Sequence, residues 1–104
     1  MPDHFDGVFQ AAARRNLPAP LRENWCILKS MCWIESRLNP SADSHVGAQG
    51  LCQVMPATAG DLQQRGLWRG RLRDAKANAE AGALVFAQYW RIWATPRTVE
   101  CGPN

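Results

Sequence analysis

Glu35 is the residue whose setting best suits chemistry, because it continues an apolar stripe on a predicted helix. At 100° per residue the stripe spans about 60° of arc and is formed by Leu21, Trp25, Leu28 and Cys32. We therefore expect Glu35 to face inward. Desolvation and the nearby helix C-terminus would both disfavour its charged form. An acid that keeps its proton can protonate a leaving oxygen, such as a glycosidic oxygen.

Glu35 also has a plainer interpretation, as half of a partly buried ion pair with Arg22, Arg37 or a more distant arginine. The segment that follows favours a ligand site instead. Residues 39–55 are rich in turn formers and predict an irregular loop that can include a small β-hairpin. Such a loop between two helices can form the floor of a cleft.

Within that loop, glycines and neutral polar side chains suit a sugar ligand. Gly47 and Gly50 permit close approach, while Ser44 and Gln53 offer uncharged hydrogen-bonding groups. Each has a structural alternative: Ser44 as a turn residue, Gln53 as a surface strand residue, and Met55 as a plug that fills the core.

The elements that must position these residues are mainly helical. Apolar spacing and boundary residues predict helices over residues 5–16, 20–39, 56–65 and 75–93. Asp74 is the candidate N-cap of the last helix, and Gly66 stops the one before it. The expected fold class is mainly α, with the loop of residues 39–55 after the helix that carries Glu35.

Length and composition limit the classes of protein to which the chain can belong. The 104 residues, 46% of them hydrophobic and with five Trp, suffice for one domain covering residues 1–104 and exclude two. No apolar run approaches the roughly 20 residues of a membrane span. The N-terminus carries acids and shows no basic stretch before an apolar block, so no signal peptide is visible.

The charged and sulfur-containing residues exclude other classes. The net charge is +3, and arginines cluster at Arg65, Arg69, Arg71 and Arg73. This cluster can be a solvated basic loop or a binding site for an anionic polymer. No recognition signature for nucleic acid is present. With two His and no C-x-x-C spacing we expect no metal and no cofactor. The four cysteines leave open a Cys32–Cys52 bridge, a Cys26–Cys101 bridge, or reduced thiols.

Residues 35–59 carry a family resemblance. They read ESRLNPSADSHVGAQGLCQVMPATA, which matches E-S-x-x-N-P-x-A-x-S-x-x-G-A-x-G-L-x-Q-x-M-P-x-T-A at unbroken spacing. This pattern resembles that of the soluble lytic transglycosylase (SLT) domain, whose lysozyme-like α+β fold is similar to goose-type lysozyme. Asn78 and Gly82 also resemble the family's later N-I-x-x-G-x-x-Y-L helix, from which Ala79 and Val85 depart. The resemblance covers residues 20–93.

The resemblance implies roles for single residues. Glu35 would be the sole catalytic acid and base in cleaving peptidoglycan glycan strands between N-acetylmuramic acid (MurNAc) and N-acetylglucosamine (GlcNAc), with formation of 1,6-anhydro-MurNAc. Ser44 would touch the N-acetyl group of the muramoyl sugar, and Gln53 and Met55 would line the groove. Ordinary glycosidases use two carboxylates, whereas the nearest second acid here is Asp43, a surface turn residue at a variable position.

Two alternatives stay open. One is a lysozyme-type hydrolase that uses Asp43 or a bound water with Glu35. The other is a non-catalytic peptidoglycan-binding or assembly module, because the family's A-Y-N-A-G motif is not found before Asn104. That departure suggests a C-terminally truncated chain or a reduced domain, and Tyr89 lies too early to replace the motif's tyrosine.

The expected place of action is the bacterial cell wall, in the periplasm or from the exterior. Small size, basic charge and the lack of a visible signal peptide suit a bacteriophage lysis enzyme or a virion component that perforates the wall. A bacterial secretion or conjugation accessory is the other setting, so virion or secretion-apparatus proteins are the candidate protein partners.

Overall fold

The computed structural model describes residues 1–93, apart from the side chains of residues 92 and 93. It contains four α-helices: α1 (Asp6–Asn16), α2 (Trp25–Ser36), α3 (Pro56–Gln64) and α4 (Ala75–Trp93). Between α2 and α3 lie only the isolated β-bridges Asp43–Gln49 and Gln49–Val54. The mainly α fold class and the irregular loop with a minimal hairpin are therefore confirmed.

Helix α2 is shorter than the predicted helix over residues 20–39. The chain first forms a 3-10 turn at Ala19–Leu21, in which the Leu21 N–H donates to the Pro18 carbonyl at 2.8 Å, and α2 begins only at Trp25. It ends at Ser36 because Arg37 and Leu38 both adopt left-handed backbone angles, with φ of 57° and 59°. The helix thus stops one residue after Glu35, rather than at Asn39 and Pro40.

The other helix ends follow the predicted signals. The Ala77 N–H donates to Oδ2 of Asp74 at 2.9 Å, which confirms Asp74 as the N-terminal cap of α4. Gly66 follows α3 with φ of 71°, a conformation that glycine adopts at little cost.

The core consists of two apolar clusters with α4 between them. One joins α1, α2 and one face of α4, and it includes Phe9, Leu28 and Ala83. The other joins α3 to another face of α4 around Leu62 and Ala81. Small alanines on α4 let the backbone of α1 approach it closely, so this helix is the scaffold of the domain.

A buried ion pair ties α2 to α1. Lys29 is only 1% exposed, and its Nζ lies 2.6 Å from Oδ1 of Asp6. The ammonium also sits 5.9 Å from the ring centroid of Trp25. The charge therefore has both a counter-ion and an aromatic face, as a buried lysine requires.

A disulfide joins Cys32 on α2 to Cys52 in the following loop, which confirms one of the sequence alternatives. Cys26 is also disulfide-bonded. The predicted partner of Cys26, Cys101, lies outside the described residues.

Within residues 1–93, no helix is sufficiently long and apolar to pass through a bilayer. The same part of the chain contains no cluster of His, Cys, Asp or Glu that could hold a metal ion.

Candidate functional site

A cleft of about 330 Å³ lies where α2, the loop after it, α3 and α4 meet. We call it the Glu35 cleft. Its lining residues come from all four of these segments: Leu28, Met31, Cys32, Glu35, Cys52, Gln53, Val54, Met55, Thr58, Gly82, Val85 and Tyr89. Three of the four predicted site residues, Glu35, Gln53 and Met55, are therefore brought together, and Ser44 is not among them.

The carboxylate of Glu35 is exposed, which corrects the expectation that it is buried. The predicted angular position of Glu35 on the helix is correct, because Leu28 and Cys32 of the same apolar stripe line the same cleft. However, α2 ends at Ser36, so Glu35 lies in its last turn, where its side chain is exposed. The apolar stripe leads into a cleft at this end of the helix instead of into packed side chains.

The ion-pair alternative for Glu35 is not realised within residues 1–93. Arg22 donates from Nε to the Leu17 carbonyl at 3.1 Å. Arg37 lies with its guanidinium 4.9 Å from the ring centroid of Trp33. In the described part of the chain Glu35 has no ion-pair partner.

Gln53 forms one wall of the cleft and is held rigidly. Its backbone is left-handed, with φ of 53°, and its Nε2 donates to the carbonyls of Ala42 at 3.0 Å and Gly50 at 2.8 Å. These bonds connect the two sides of the loop. Gln53 is thus a cleft residue rather than a surface strand residue.

Met55 lines the cleft with an exposed side chain, so it does not plug the core. It immediately precedes α3, whose first residue is Pro56. A flexible thioether here can adapt to the apolar face of a ligand.

Ser44 closes the turn around Gly47. Its Oγ accepts the Ala48 N–H at 2.9 Å, and its own backbone N–H donates to the Ala48 carbonyl at 2.9 Å. Ser44 is half-buried and does not line the Glu35 cleft, so its contact with substrate stays a prediction.

Buried Asn78 on α4 holds the loop in place. Its Oδ1 accepts the Cys52 N–H at 2.7 Å, and its Nδ2 donates to the carbonyls of Gln49 at 2.9 Å and Leu72 at 2.8 Å. Gly50 makes this possible, because a Cβ there would overlap Nδ2 of Asn78. The sequence pointed to Asn78 only through the family pattern, and to Gly50 as a glycine that permits close approach of a ligand. In the structure the group that approaches Gly50 closely is the side chain of Asn78.

The Cys32–Cys52 disulfide is itself part of the cleft wall. It packs against Gly82 of α4, where an added Cβ would lie 2.9 Å from the Cβ of Cys52. Gly82 therefore lets α4 approach the bridge that links the Glu35 helix to the Gln53 loop.

Tyr89 is a cleft residue that sequence reasoning missed. The signal is present, because Gly82, Val85 and Tyr89 recur at helical spacing and all three line the cleft. The sequence pattern led us to consider Tyr89 only as a replacement for the tyrosine of the A-Y-N-A-G motif. Its place on the same helical face as Gly82 and Val85 was therefore overlooked.

The remaining acids near the loop lie outside the cleft. Asp43 is exposed and paired with Arg73 at 2.5 Å, as expected for a surface turn acid. Asp61 of α3 pairs weakly with Arg65 at 3.4 Å and lines a neighbouring cavity. Among the described residues, Glu35 is the only carboxylate in the lining of the cleft.

Comparisons with known proteins agree with this geometry. Residues 10–99 match the family model described as the transglycosylase SLT domain. The chain is also similar to the peptidoglycan transglycosylase gp16 of Escherichia phage T7, with 37% identity over 65 residues, which are 62% of this chain and 5% of that protein. No solved structure matches significantly. With its cleft assembled around the signature residues and its family match spanning nearly the whole length, the chain belongs to the transglycosylase SLT domain family.

Proposed function

We propose that this chain cleaves peptidoglycan as a lytic transglycosylase, cutting the β-1,4 bond between MurNAc and GlcNAc with formation of a 1,6-anhydro end. The observation that supports this most is that Glu35 is the single carboxylate that residues 1–93 contribute to the cleft lining of this SLT domain. A two-carboxylate glycosidase would need a second acid across the bond, about 5 to 9.5 Å away. Transglycosylation needs only one.

Glu35 would act twice. As an acid it protonates the glycosidic oxygen, and the bond from that oxygen to C1 of MurNAc breaks. As a carboxylate it then removes the proton from the C6 hydroxyl of the same MurNAc, whose oxygen bonds to C1. The proton returns to Glu35, no water is consumed, and the strand ends in an anhydro sugar.

Gln53, Met55 and Ser44 would hold the glycan. Gln53 and Met55 support this role by lining the cleft beside Glu35. Ser44 accepts a hydrogen bond through Oγ but keeps its own hydroxyl hydrogen, which can be donated to an N-acetyl carbonyl.

Muropeptide mass spectrometry tests the reaction. Purified sacculi are digested in water labelled with ¹⁸O, and we expect anhydro ends without label. Glu35→Gln should lower the rate about a thousandfold or more while leaving the unfolding temperature unchanged, because Glu35 is exposed. Labelled reducing ends would instead identify a hydrolase.

Two further variants test the hydrolase alternative, in which a second acid acts together with Glu35. Asp43→Asn removes an acid of the loop after α2 and Asp61→Asn removes an acid of α3, and neither variant changes Glu35. We expect both to retain turnover. Loss of cleavage in either one, with the fold intact, would show that a second carboxylate takes part.

The non-catalytic alternative is tested by turbidity of a wall suspension. The intact chain should clear the suspension, and the Glu35→Gln variant should bind the walls without clearing them. Binding without clearing by both proteins would identify a binding or assembly module instead.

We also propose a phage setting, either wall lysis or wall penetration by a virion. The match to a phage T7 protein supports it, although the chain spans only about 5% of that relative. Proteomics of purified virions from the encoding phage would separate a virion component from a lysis enzyme. A gene located among bacterial secretion genes would contradict both.

A further inference from the structure

A cavity of about 280 Å³ lies on the far side of α4 from the Glu35 cleft. We call it the Arg69 cavity. It is formed by the end of α1, the loop between α3 and α4, and α4 itself, and its walls include Arg15, Leu67, Trp68, Arg69, Glu80 and Leu84. At 100° per residue, Glu80 and Leu84 lie roughly 150° around α4 from the cleft residues Gly82 and Val85. The two sites therefore share no wall.

The Arg69 cavity has an excess of positive charge. Arg15 and Arg69 contribute two guanidinium groups, and Glu80 contributes one carboxylate. Nη1 of Arg15 lies 2.8 Å from Oε1 of Glu80, which leaves other N–H groups of this arginine able to donate. Arg69 is exposed and has no ion-pair partner within residues 1–93. One anionic group would therefore balance the charge of the cavity.

The segment that contains Arg69 carries the positive charge of the whole chain. Residues 65–76 contain five Lys or Arg and one Asp, a net charge of +4, whereas the rest of the chain has seven basic and eight acidic residues, a net charge of −1. Two of the five cations are already paired, Arg65 with Asp61 and Arg73 with Asp43. An anion that approaches the protein is therefore attracted to this segment.

The loop beside Arg69 is held rigidly, and it exposes an apolar side chain. Nε1 of buried Trp68 donates to the Ala77 carbonyl at 2.8 Å, and the Leu67 N–H donates to the Leu62 carbonyl at 3.0 Å. The Leu67 side chain is nevertheless 46% exposed, and with Leu84 of α4 it forms the apolar part of the cavity. Because the backbone is already fixed, binding there costs little conformational entropy. The ligand that fits has a carboxylate beside a small apolar group.

We propose that the Arg69 cavity binds the terminal carboxylate of a peptidoglycan stem peptide, with Arg69 and Arg15 as donors and Leu67 against the terminal side chain. This inference rests on the proposed function, because the glycan strands to be cleaved carry short peptides that end in a carboxyl group. Arginine suits such an end, since its planar guanidinium donates two parallel hydrogen bonds to one carboxylate. The chain then holds the wall at a second point away from Glu35, and the two contacts reinforce each other.

NMR titration of the full chain with D-alanyl-D-alanine tests the cavity without requiring catalysis. We expect the amide resonances of Gly66 and Leu67 to shift and that of Gly82, in the Glu35 cleft, to stay in place. Arg69→Gln should weaken binding about tenfold. Arg65→Gln is the matched control, because Arg65 is exposed in the same segment but does not line the cavity, and its affinity should stay within about twofold of the parent.

Two further ligands show which group is recognised. The amide of the dipeptide lacks the carboxylate and should cause no shifts, and inorganic phosphate should bind more weakly than the dipeptide because it has no apolar part. Equal binding of the amide would overturn the recognition of a carboxylate. Tighter binding of phosphate would identify a phosphate site and overturn the assignment to a stem peptide.

Sedimentation with wall material separates this inference from the proposed function. All proteins carry Glu35→Gln, so that the wall is not consumed. Adding Arg69→Gln should weaken binding to intact sacculi about tenfold and leave binding to peptide-free glycan strands within about twofold. If the Glu35→Gln protein binds neither material, the proposed function fails and the stem-peptide assignment fails with it. If it binds both, and Arg69→Gln binds sacculi equally well or the dipeptide shifts neither Gly66 nor Leu67, only the inference about the Arg69 cavity is overturned.

Discussion

Asn78 shows how one side chain can position a site that it does not enter. It is fully buried, and its amide joins the loop at Cys52 and Gln49 to the segment before α4 at Leu72. A side chain with two donors and an acceptor in one plane is needed for this arrangement. The site geometry therefore depends on a residue outside the cleft.

Asn78→Ala should lower the free energy of unfolding by about 3 kcal/mol, because three hydrogen bonds are lost and their partly buried backbone partners are left unsatisfied. Urea denaturation measures this. Asn24→Ala is the control, because its bond from Nδ2 to the Pro20 carbonyl is exposed and worth less. A change below about 1 kcal/mol in Asn78→Ala would show that the loop is held by other contacts.

Gly50 is the complement of Asn78. Its φ is 81°, and a Cβ would overlap the Leu72 carbonyl oxygen as well as Asn78. Gly50→Ala should therefore destabilise the protein by about 2 kcal/mol or more through strain and overlap. Gly7→Ala, where an added Cβ meets nothing, is the control in the same denaturation series. A Gly50→Ala variant as stable as the parent would mean that the loop can move away from α4.

At the scale of elements, the disulfide fastens α2 to the loop that bears Gln53. Cys32 and Cys52 are 20 residues apart, so the bond removes the freedom of a long loop in the unfolded chain. It also sits directly in the wall of the Glu35 cleft. Stability and cleft shape are consequently connected.

Replacing both Cys32 and Cys52 by Ser should lower the free energy of unfolding by about 3 kcal/mol. Wall-clearing activity should fall as well, since the Gln53 loop would no longer be tied to α2. Comparison under non-reducing conditions isolates this bridge from that of Cys26. Full activity in the double variant would show that hydrogen bonds to Asn78 and Gln53 are sufficient.

The Lys29–Asp6 pair makes a different prediction, for the α1–α2 contact. Asp6→Asn removes the counter-ion of a buried ammonium and should cost about 2 kcal/mol, since Asp6 itself is partly reached by water. Lys29→Met combined with Asp6→Asn should recover most of that loss. A double-mutant cycle in denaturant gives the coupling, and additive effects would contradict a direct interaction.

Most elements could be predicted from sequence, because their signals are local. Asp74, Gly66 and the alanine spacing of α4 depend on neighbours a few residues away. The ends of α2 could not be predicted in the same way: its N-terminal end follows from a 3-10 turn, and its C-terminal end from two left-handed residues, one of them buried Leu38. The exposure of Glu35 follows from that C-terminal end. It could therefore not be predicted from the angular positions of side chains around the helix alone.

At the scale of the whole molecule, the two core clusters depend on α4 and on Cys52, which packs against both. Without α4, each cluster would expose part of its apolar surface to water. The described part of the chain should therefore unfold in a single transition. Far-UV and near-UV circular dichroism should give coincident midpoints, and separate midpoints would show that the α3 cluster unfolds independently.

The fixed amide of Gln53 has a consequence for ligand selection. Both hydrogens on Nε2 are donated to the carbonyls of Ala42 and Gly50, so only the side-chain carbonyl oxygen of Gln53 can still bind a ligand. This portion of the wall is therefore electron-rich toward the ligand. Under the proposed function, a sugar that contacts Gln53 should turn a hydroxyl or amide hydrogen toward it, whereas a ring oxygen or carboxylate would be repelled there. This part of the wall would then favour one orientation of the strand over the other.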